Sequence, residues 1–244
     1  MWCVIPVAGQ ATRMRAIAAG RPKALLPLAG RPLIGHLLDR LAPPITHACL
    51  VADPDHVADF VELGSRYGDL CLHYAVQPEA SGVADAVGRA ESLVDGPFVA
   101  LMGDCFYERT LSGFPQRWFG TDADGAVLVE AAGDADGQPM GLVRLSDRRV
   151  EEIFKAPWAG ETDWKVAGAY LLPPAFFEAL ADTPPSVSGE LELEDVVTRL
   201  IAGGSVFTAI PYAGWRRNIN TPRDLEAVER RLMEDSDRRD DPTD

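Results

Sequence analysis

At 244 residues, with 47% apolar and 25% charged residues, the chain has the size and balance of one globular domain with a substantial core. Its formal net charge is −14, with six acids against two arginines in the last eleven residues, which argues against nucleic acid or an anionic membrane as partner. No apolar run reaches the roughly 18 residues of a membrane span, and Cys3, Cys49, Cys71 and Cys105 lie in or beside apolar runs without C-x-x-C spacing, which predicts reduced, buried thiols in a cytoplasmic protein.

Val4 to Ala8 is a short apolar run ending at Gly9 and predicts a buried strand. A chain that opens on such a strand is not expected to carry a signal peptide. Next come small residues and cations: Gly9, Ala11, Thr12, Arg13 and Arg15, then Lys23 after Pro22. Small residues let backbone N–H groups approach phosphate oxygens while Arg and Lys neutralise the charge, so this loop suits an anion with several phosphates. Pro32 then opens a helix that carries Leu33, Ile34, Leu37, Leu38 and Leu41 at helical spacing. Pro43-Pro44 breaks the chain before a strand at 47–53. Residues 54–66 predict an amphipathic helix with Val57, Phe60, Val61 and Leu63 inward, and 70–76 a third strand, ending at Gln77-Pro78. Ser81 is placed to cap a helix with Val83, Val87, Ala90 and Val94 on one side, and the strand 97–104 follows. This alternation predicts an α/β fold, a Rossmann-like, mostly parallel sheet flanked by helices, with its site at the strands' C-terminal ends.

From about residue 120 the texture changes. Strands at 125–131, 141–145, 150–154 and 164–172 follow one another without helices, so the sheet is expected to become mixed through a β-rich part at about 120–172. Helices at 173–180 and 191–204, a late strand at 205–212 and a capped helix start at Thr221-Pro222-Arg223-Asp224 complete one domain over 1–233. The polar tail, 234–244, is expected to be disordered.

Neither a G-x-x-x-x-G-K-[ST] P-loop nor a G-x-G-x-x-G fingerprint is present. AGQATRM, followed by Lys23 in RPKALLPLAGRP, instead resembles the signature of the sugar-phosphate nucleotidyltransferases: G-x-G-T-R, a spacer, then P-K and a downstream P. Ala11 replaces the second Gly, and the Thr-Pro often found in the spacer is missing. VIPVAG looks most like the bacterial glucose-1-phosphate uridylyltransferases. The resemblance continues in order along nearly the whole chain. QPEASGVADAV (77–87) matches Q-x-x-x-x-G-x-A, in which Gln77 and Gly82 would meet a pyrimidine base. A rotated Gln amide can pair with uracil or with cytosine, so Gln77 alone leaves the base open. Gly103-Asp104 matches a G-D step that holds Mg²⁺ at the nucleotide's phosphates, and a hard cation takes such carboxylate oxygens. WRRNINTPRDL (215–225) matches W-x-D-I-G-T-P-x-D-L with Asn218 in place of the Asp, as in N-acetylglucosamine-1-phosphate uridylyltransferases, and supplies the second metal residue.

On the acceptor side, Lys155 matches the lysine of E-K-P that contacts a sugar phosphate, Gly141 the Gly of Y-G-x-V, and Val166 to Tyr170 the sugar-contacting V-T-G-x-Y. Phe154 stands where thymidylyltransferases carry a sugar-binding Glu; either the sugar presents a less polar edge there, as a deoxy sugar would, or Glu152, two residues away on one strand face, compensates. GELELED (189–195) resembles G-E-x-x-x-T-D, with Ser188 where some relatives have a phosphate-binding Arg. The resemblance therefore implies Mg²⁺-dependent joining of an NTP, UTP or dTTP favoured, to a sugar 1-phosphate. Ala8, Gly9, Ala11, Thr12, Arg13, Lys23, Gln77, Gly82, Gly103 and Asp104 would bind the nucleotide. Arg13, Lys23 and Asp104 would be catalytic, Asp104 and Asn218 would hold the metal, and Gly141, Glu152, Lys155 and Val166 would bind the acceptor. No hexapeptide array is present, so the acetyltransferase half of bifunctional relatives is not expected. Two alternatives stay open: a sugar-nucleotide sensor without catalysis, and a glycosyltransferase using D-x-D at Asp122-Ala-Asp124 or Asp134-Ala-Asp136.

Overall fold

The computed structural model describes residues 1–8, 14, 20–133, 139–160 and 162–239, with side chains as far as Glu234. In chain order, β1 (Trp2–Pro6) leads through a short 3-10 turn at Lys23–Leu25 to the two-residue strands β2 (Pro27–Leu28) and β3 (Arg31–Pro32). Then come α1 (Leu33–Leu38), β4 (His47–Ala52), α2 (Val57–Val61), β5 (Arg66–Tyr67), β6 (Leu70–Val76), α3 (Val83–Gly88) and β7 (Phe98–Leu101). The second half holds β8 (Cys105–Tyr107), α4 (Gly113–Trp118), β9 (Gly125–Ala131), β10 (Pro139–Ser146), β11 (Arg149–Pro157) and β12 (Trp164–Leu172). It closes with α5 (Ala175–Ala181), α6 (Leu193–Ala202), β13 (Phe207–Pro211), β14 (Arg216–Asn218) and α7 (Pro222–Arg239).

Ten strands form one sheet in the order β10-β11-β13-β9-β12-β7-β1-β4-β6-β5. The half from β7 to β6 is parallel, and β12 joins it antiparallel to β7, so the expected mixed α/β sheet is present. From β1 the chain steps outward through β4 and β6, then returns to place β7 on β1's other side. That reversal leaves a crevice beyond the carboxyl ends of β1 and β7, the usual ligand position in such sheets. Both faces are covered. Ile34, Leu37 and Leu38 of α1, Phe60 of α2 and Phe114 of α4 pack on one. Ala84, Ala86 and Val87 of α3, Phe176 of α5, and Val196, Val197 and Leu200 of α6 pack on the other. A smaller core joins Met14, Leu26, Leu28, Leu33, Phe106, Ile219, Leu225 and Val228, and fastens α7 beneath β8 and β14.

Several local expectations change. The helix expected at 54–66 is only Val57–Val61, and Val61 is 49% exposed although Phe60 is buried. α3 starts one residue after Gly82, which takes the N-cap position in place of Ser81. Cys71 is half-buried and the other three free thiols are buried. α7 continues to Arg239, past Met233 where a tail was expected to begin. Among the described residues, no helix is long and apolar enough to cross a membrane.

Candidate active site

Apolar β7 ends at Leu101, and the chain turns through Met102-Gly103, whose backbone lies against Pro6 and Val7 at the end of β1. Asp104 therefore stands at the crevice. β8 then pairs antiparallel with β14, setting Asn218 opposite Cys105, and the Ile219 N–H donates to the Asp104 carbonyl at 2.8 Å. This short ladder brings two distant segments together. Lys23 joins them: its Nζ donates to Asp104 Oδ2 and to Asn220 Oδ1, each at 2.9 Å. Lys23, Asp104 and Asn218 thus converge as expected from their motifs. Asn220 is an addition the sequence signal passed over, because the family pattern has Gly there. Ala8 is half-buried just beyond β1. Gly9, Ala11, Thr12, Arg13 and Arg15 lie outside the described residues.

Behind Asn218 stands a buried guanidinium. Arg216, with a side chain only 6% exposed, donates from Nη1 to Asn218 Oδ1 at 2.6 Å and from Nη2 to Glu130 Oε1 at 2.9 Å. Lys165 lies 3.3 Å from the same Glu130 oxygen. The Cys105 thiol also donates to Asn218 Oδ1, at 3.1 Å, and burial pushes its pKa up to about 12, so it remains a protonated donor at neutral pH. The cluster closes over Gly168, at φ +72°, where a Cβ would lie 2.8 Å from Cys105 Sγ and 3.0 Å from Arg216 Nη1. No side chain fits there. Nothing in the sequence pattern signalled this support.

The donor set suits a hard divalent cation. Asp104 offers carboxylate oxygen at the crevice, with a side chain 35% exposed. Asn218 Oδ1 already accepts two hydrogen bonds, so it would join a metal by releasing the weak S–H donor. Mg²⁺ takes one or two protein oxygens and completes its shell with water and substrate phosphates.

Beyond the end of β6, buried Gln77 donates from Nε2 to the Gly82 carbonyl and to Asp85 Oδ2, both at 2.9 Å. Both partners only accept, so the amide orientation is dictated and Oε1 is left as acceptor. Gly82 has a packing task in this structure. At φ +107° its missing Cβ would lie 2.4 Å from the Leu191 carbonyl oxygen, so Gly82 admits the 190–192 segment. That segment is bonded in from both sides, Leu191 N–H to Ser81 O and Ala84 N–H to Leu191 O.

Among the residues expected to meet the acceptor, Lys155 faces Gly141 across the β10–β11 ladder and its Nζ is 2.6 Å from Glu192 Oε1. Burial works against its charge, but Glu192, Glu194 and Glu190 outweigh it and hold the ammonium above its ordinary pKa. Val166 flanks Gly141, so Gly141, Lys155 and Val166 come together. Glu152 does not join them. The ladder is regular from Glu152 to Pro157, and strand alternation sends Glu152 and Phe154 to the face opposite Lys155. There Glu152 pairs with Arg144, whose guanidinium lies 4.4 Å above the Phe154 ring. Asp124, from one D-x-D candidate, accepts from the Val206 N–H at 2.8 Å and secures the start of β9; Asp134-Ala-Asp136 lies outside the described residues.

Residues 3–233 match the nucleotidyl transferase family. The chain belongs to that family. The resemblance drawn from its motifs is borne out, and the protein is an enzyme of nucleotidyl transfer. A UTP–glucose-1-phosphate uridylyltransferase, AglF of Haloferax volcanii, is 28% identical over 239 residues, covering 97% of this chain and 98% of the relative. The bifunctional protein GlmU of Methanococcus vannielii is 27% identical over 92% of this chain, which spans 53% of that longer protein. Among solved structures, a Bacillus anthracis protein provisionally assigned as a glucose-1-phosphate thymidylyltransferase superposes with a TM-score of 0.83, at 25% identity over 94% of each chain.

Proposed function

We propose that this nucleotidyltransferase joins a sugar 1-phosphate to UTP or dTTP, releasing pyrophosphate and an NDP-sugar, with Mg²⁺ as cofactor. The observation that carries the reading is the convergence of Lys23, Asp104 and Asn218 at the crevice. An acceptor phosphate oxygen is already anionic, so it attacks the α-phosphorus without a protein base, and catalysis is positioning plus charge neutralisation. Lys155 holds the attacking phosphate, exchanging its Glu192 partner for it. Lys23 turns from Asp104 to the α-phosphate, and Arg13 in the opening loop neutralises the departing phosphates. Asp104 and Asn218 would hold Mg²⁺, which supplies charge stabilisation to the phosphate oxygens.

The base preference rests on Gln77. With both amide hydrogens committed to Gly82 and Asp85, only its oxygen is left for a ligand. That oxygen accepts from the N3–H of uracil or thymine, whereas N3 of cytosine is itself an acceptor and only the neighbouring N4–H could serve in its place. A cytoplasmic setting belongs to the same reading, because the four cysteines are free and NTPs are at hand there.

The test is pyrophosphate release across the common NTPs and a panel of sugar 1-phosphates with Mg²⁺. UTP or dTTP is expected to exceed CTP, and Asp104→Asn to lower kcat on the order of a thousandfold while the fold persists. Near-normal turnover of Asp104→Asn at saturating Mg²⁺ removes Asp104 from the mechanism.

A further inference from the structure

Glu194, in the first turn of α6, is an ionisable side chain that the reaction above leaves without a task. Its Oε1 accepts from the Tyr170 hydroxyl at 3.2 Å. The same oxygen stands 2.9 Å from the position a Cβ on Gly141 would occupy, with Val166 at the same spot. Gly141 in turn faces Lys155 across the ladder. The carboxyl group is therefore built into the acceptor-side cluster, beside the ammonium that holds the phosphate. The residue keeps some exposure although its carboxyl group is closely surrounded. Tyr170 and the backbone N–H of Glu194 itself take two of about four lone-pair positions on the carboxylate, and acceptor capacity is left over. A charged oxygen held beside an apolar valine is retained at a desolvation penalty unless a ligand supplies the missing donor.

We propose that Glu194 is a specificity-determining residue, which accepts a hydrogen bond from an O–H or N–H group of the sugar attached to the acceptor phosphate. This rests on the nucleotidyltransferase reading above and names one contact within it. Glu152, the acid that the sequence pattern offered for this task, lies on the opposite strand face and is engaged with Arg144.

The experiment measures KM for the acceptor at saturating NTP, and KM for the NTP at saturating acceptor, in wild type, Glu194→Gln and Glu194→Met. The acceptor is whichever the wild type uses best among glucose, galactose, mannose, glucosamine and N-acetylglucosamine 1-phosphates. In Glu194→Met the acceptor KM is expected to rise about tenfold or more while the NTP KM moves less than about twofold. Glu194→Ala serves in its place if the Met variant does not fold. Gln keeps an accepting oxygen, so it restores most of the loss when the sugar's donor is a hydroxyl, and little of it when the donor is a charged amine. Either pattern supports the contact. An unchanged acceptor KM in the Met or Ala variant overturns it, as does a parallel rise in both KM values. A wild type that releases pyrophosphate with none of these sugars and no NTP overturns the underlying reading, and the contact with it.

Discussion

Glu194 and Cys105 show how environment redirects side chains of familiar chemistry. Burial raises the Glu194 carboxyl above its ordinary pKa, Glu192 adds to the rise, and the Lys155 ammonium and Tyr170 hydroxyl oppose it. A carboxyl raised in the folded state binds its proton more tightly there than when unfolded, so wild-type stability falls as pH rises through that raised value. Glu194→Gln removes the titration. Its melting temperature is expected to exceed that of wild type at pH 8, with the gap closing as pH falls toward the ordinary carboxylate range. A gap that widens on acidification would assign Glu194 a stabilising ion pair instead. Cys105 shows the complementary case, a thiol kept protonated by burial and used as a donor to Asn218.

The decisive elements are two very short strands. β8 and β14 have three residues each, and Arg216-Arg217-Asn218 has no alternation that marks a strand, yet their pairing places Asn218 beside Asp104. Two ion pairs steady this ladder. Asp224 accepts from Arg217 at 2.7 Å and from the backbone of Asn220 and Thr221, fixing the turn into α7. Glu130 of β9 neutralises buried Arg216 from the other side. Breaking a buried pair leaves an uncompensated charge, so Glu130→Ala is expected to destabilise by roughly 3–5 kcal/mol in urea unfolding. Adding Arg216→Met removes the stranded charge and is expected to recover part of that loss. Additive losses in the double variant would mean the two side chains act independently.

Across the whole molecule, the sheet sets the segments proposed to hold the two substrates next to each other. The Gln77–Gly82 loop follows β6, the β8–β14 ladder follows β7, and the 190–192 segment bonds to the first while presenting Glu192 to Lys155. Charges at the β8–β14 ladder lean positive: Lys23, Arg216 and Lys165 stand among Asp104 and Glu130. A polyphosphate is attracted there and a bare divalent cation is not. Titration calorimetry with Mg²⁺ alone is expected to give a Kd weaker than about 1 mM, tightening when UTP or dTTP is present. Tight binding of free Mg²⁺ would show that the protein assembles the metal site without nucleotide.

The strands at 70–76, 125–131 and 164–172 were legible to the residue in the sequence, because each is a mostly apolar run of strand length that has to be covered. Lys23, Gln77, Asp104, Lys155 and Asn218 were singled out along the chain by motifs that resemble those of the family. Tertiary structure alone decided which of them meet. The face of Glu152, the orientation of the Gln77 amide and the choice of Leu191 as Gly82's neighbour depend on strand register and on contacts between distant segments. Arg216, Glu130 and Glu194 belong to the same class. Each is an ordinary surface charge in one dimension, and it acquires a task only where folding removes its water and supplies a partner.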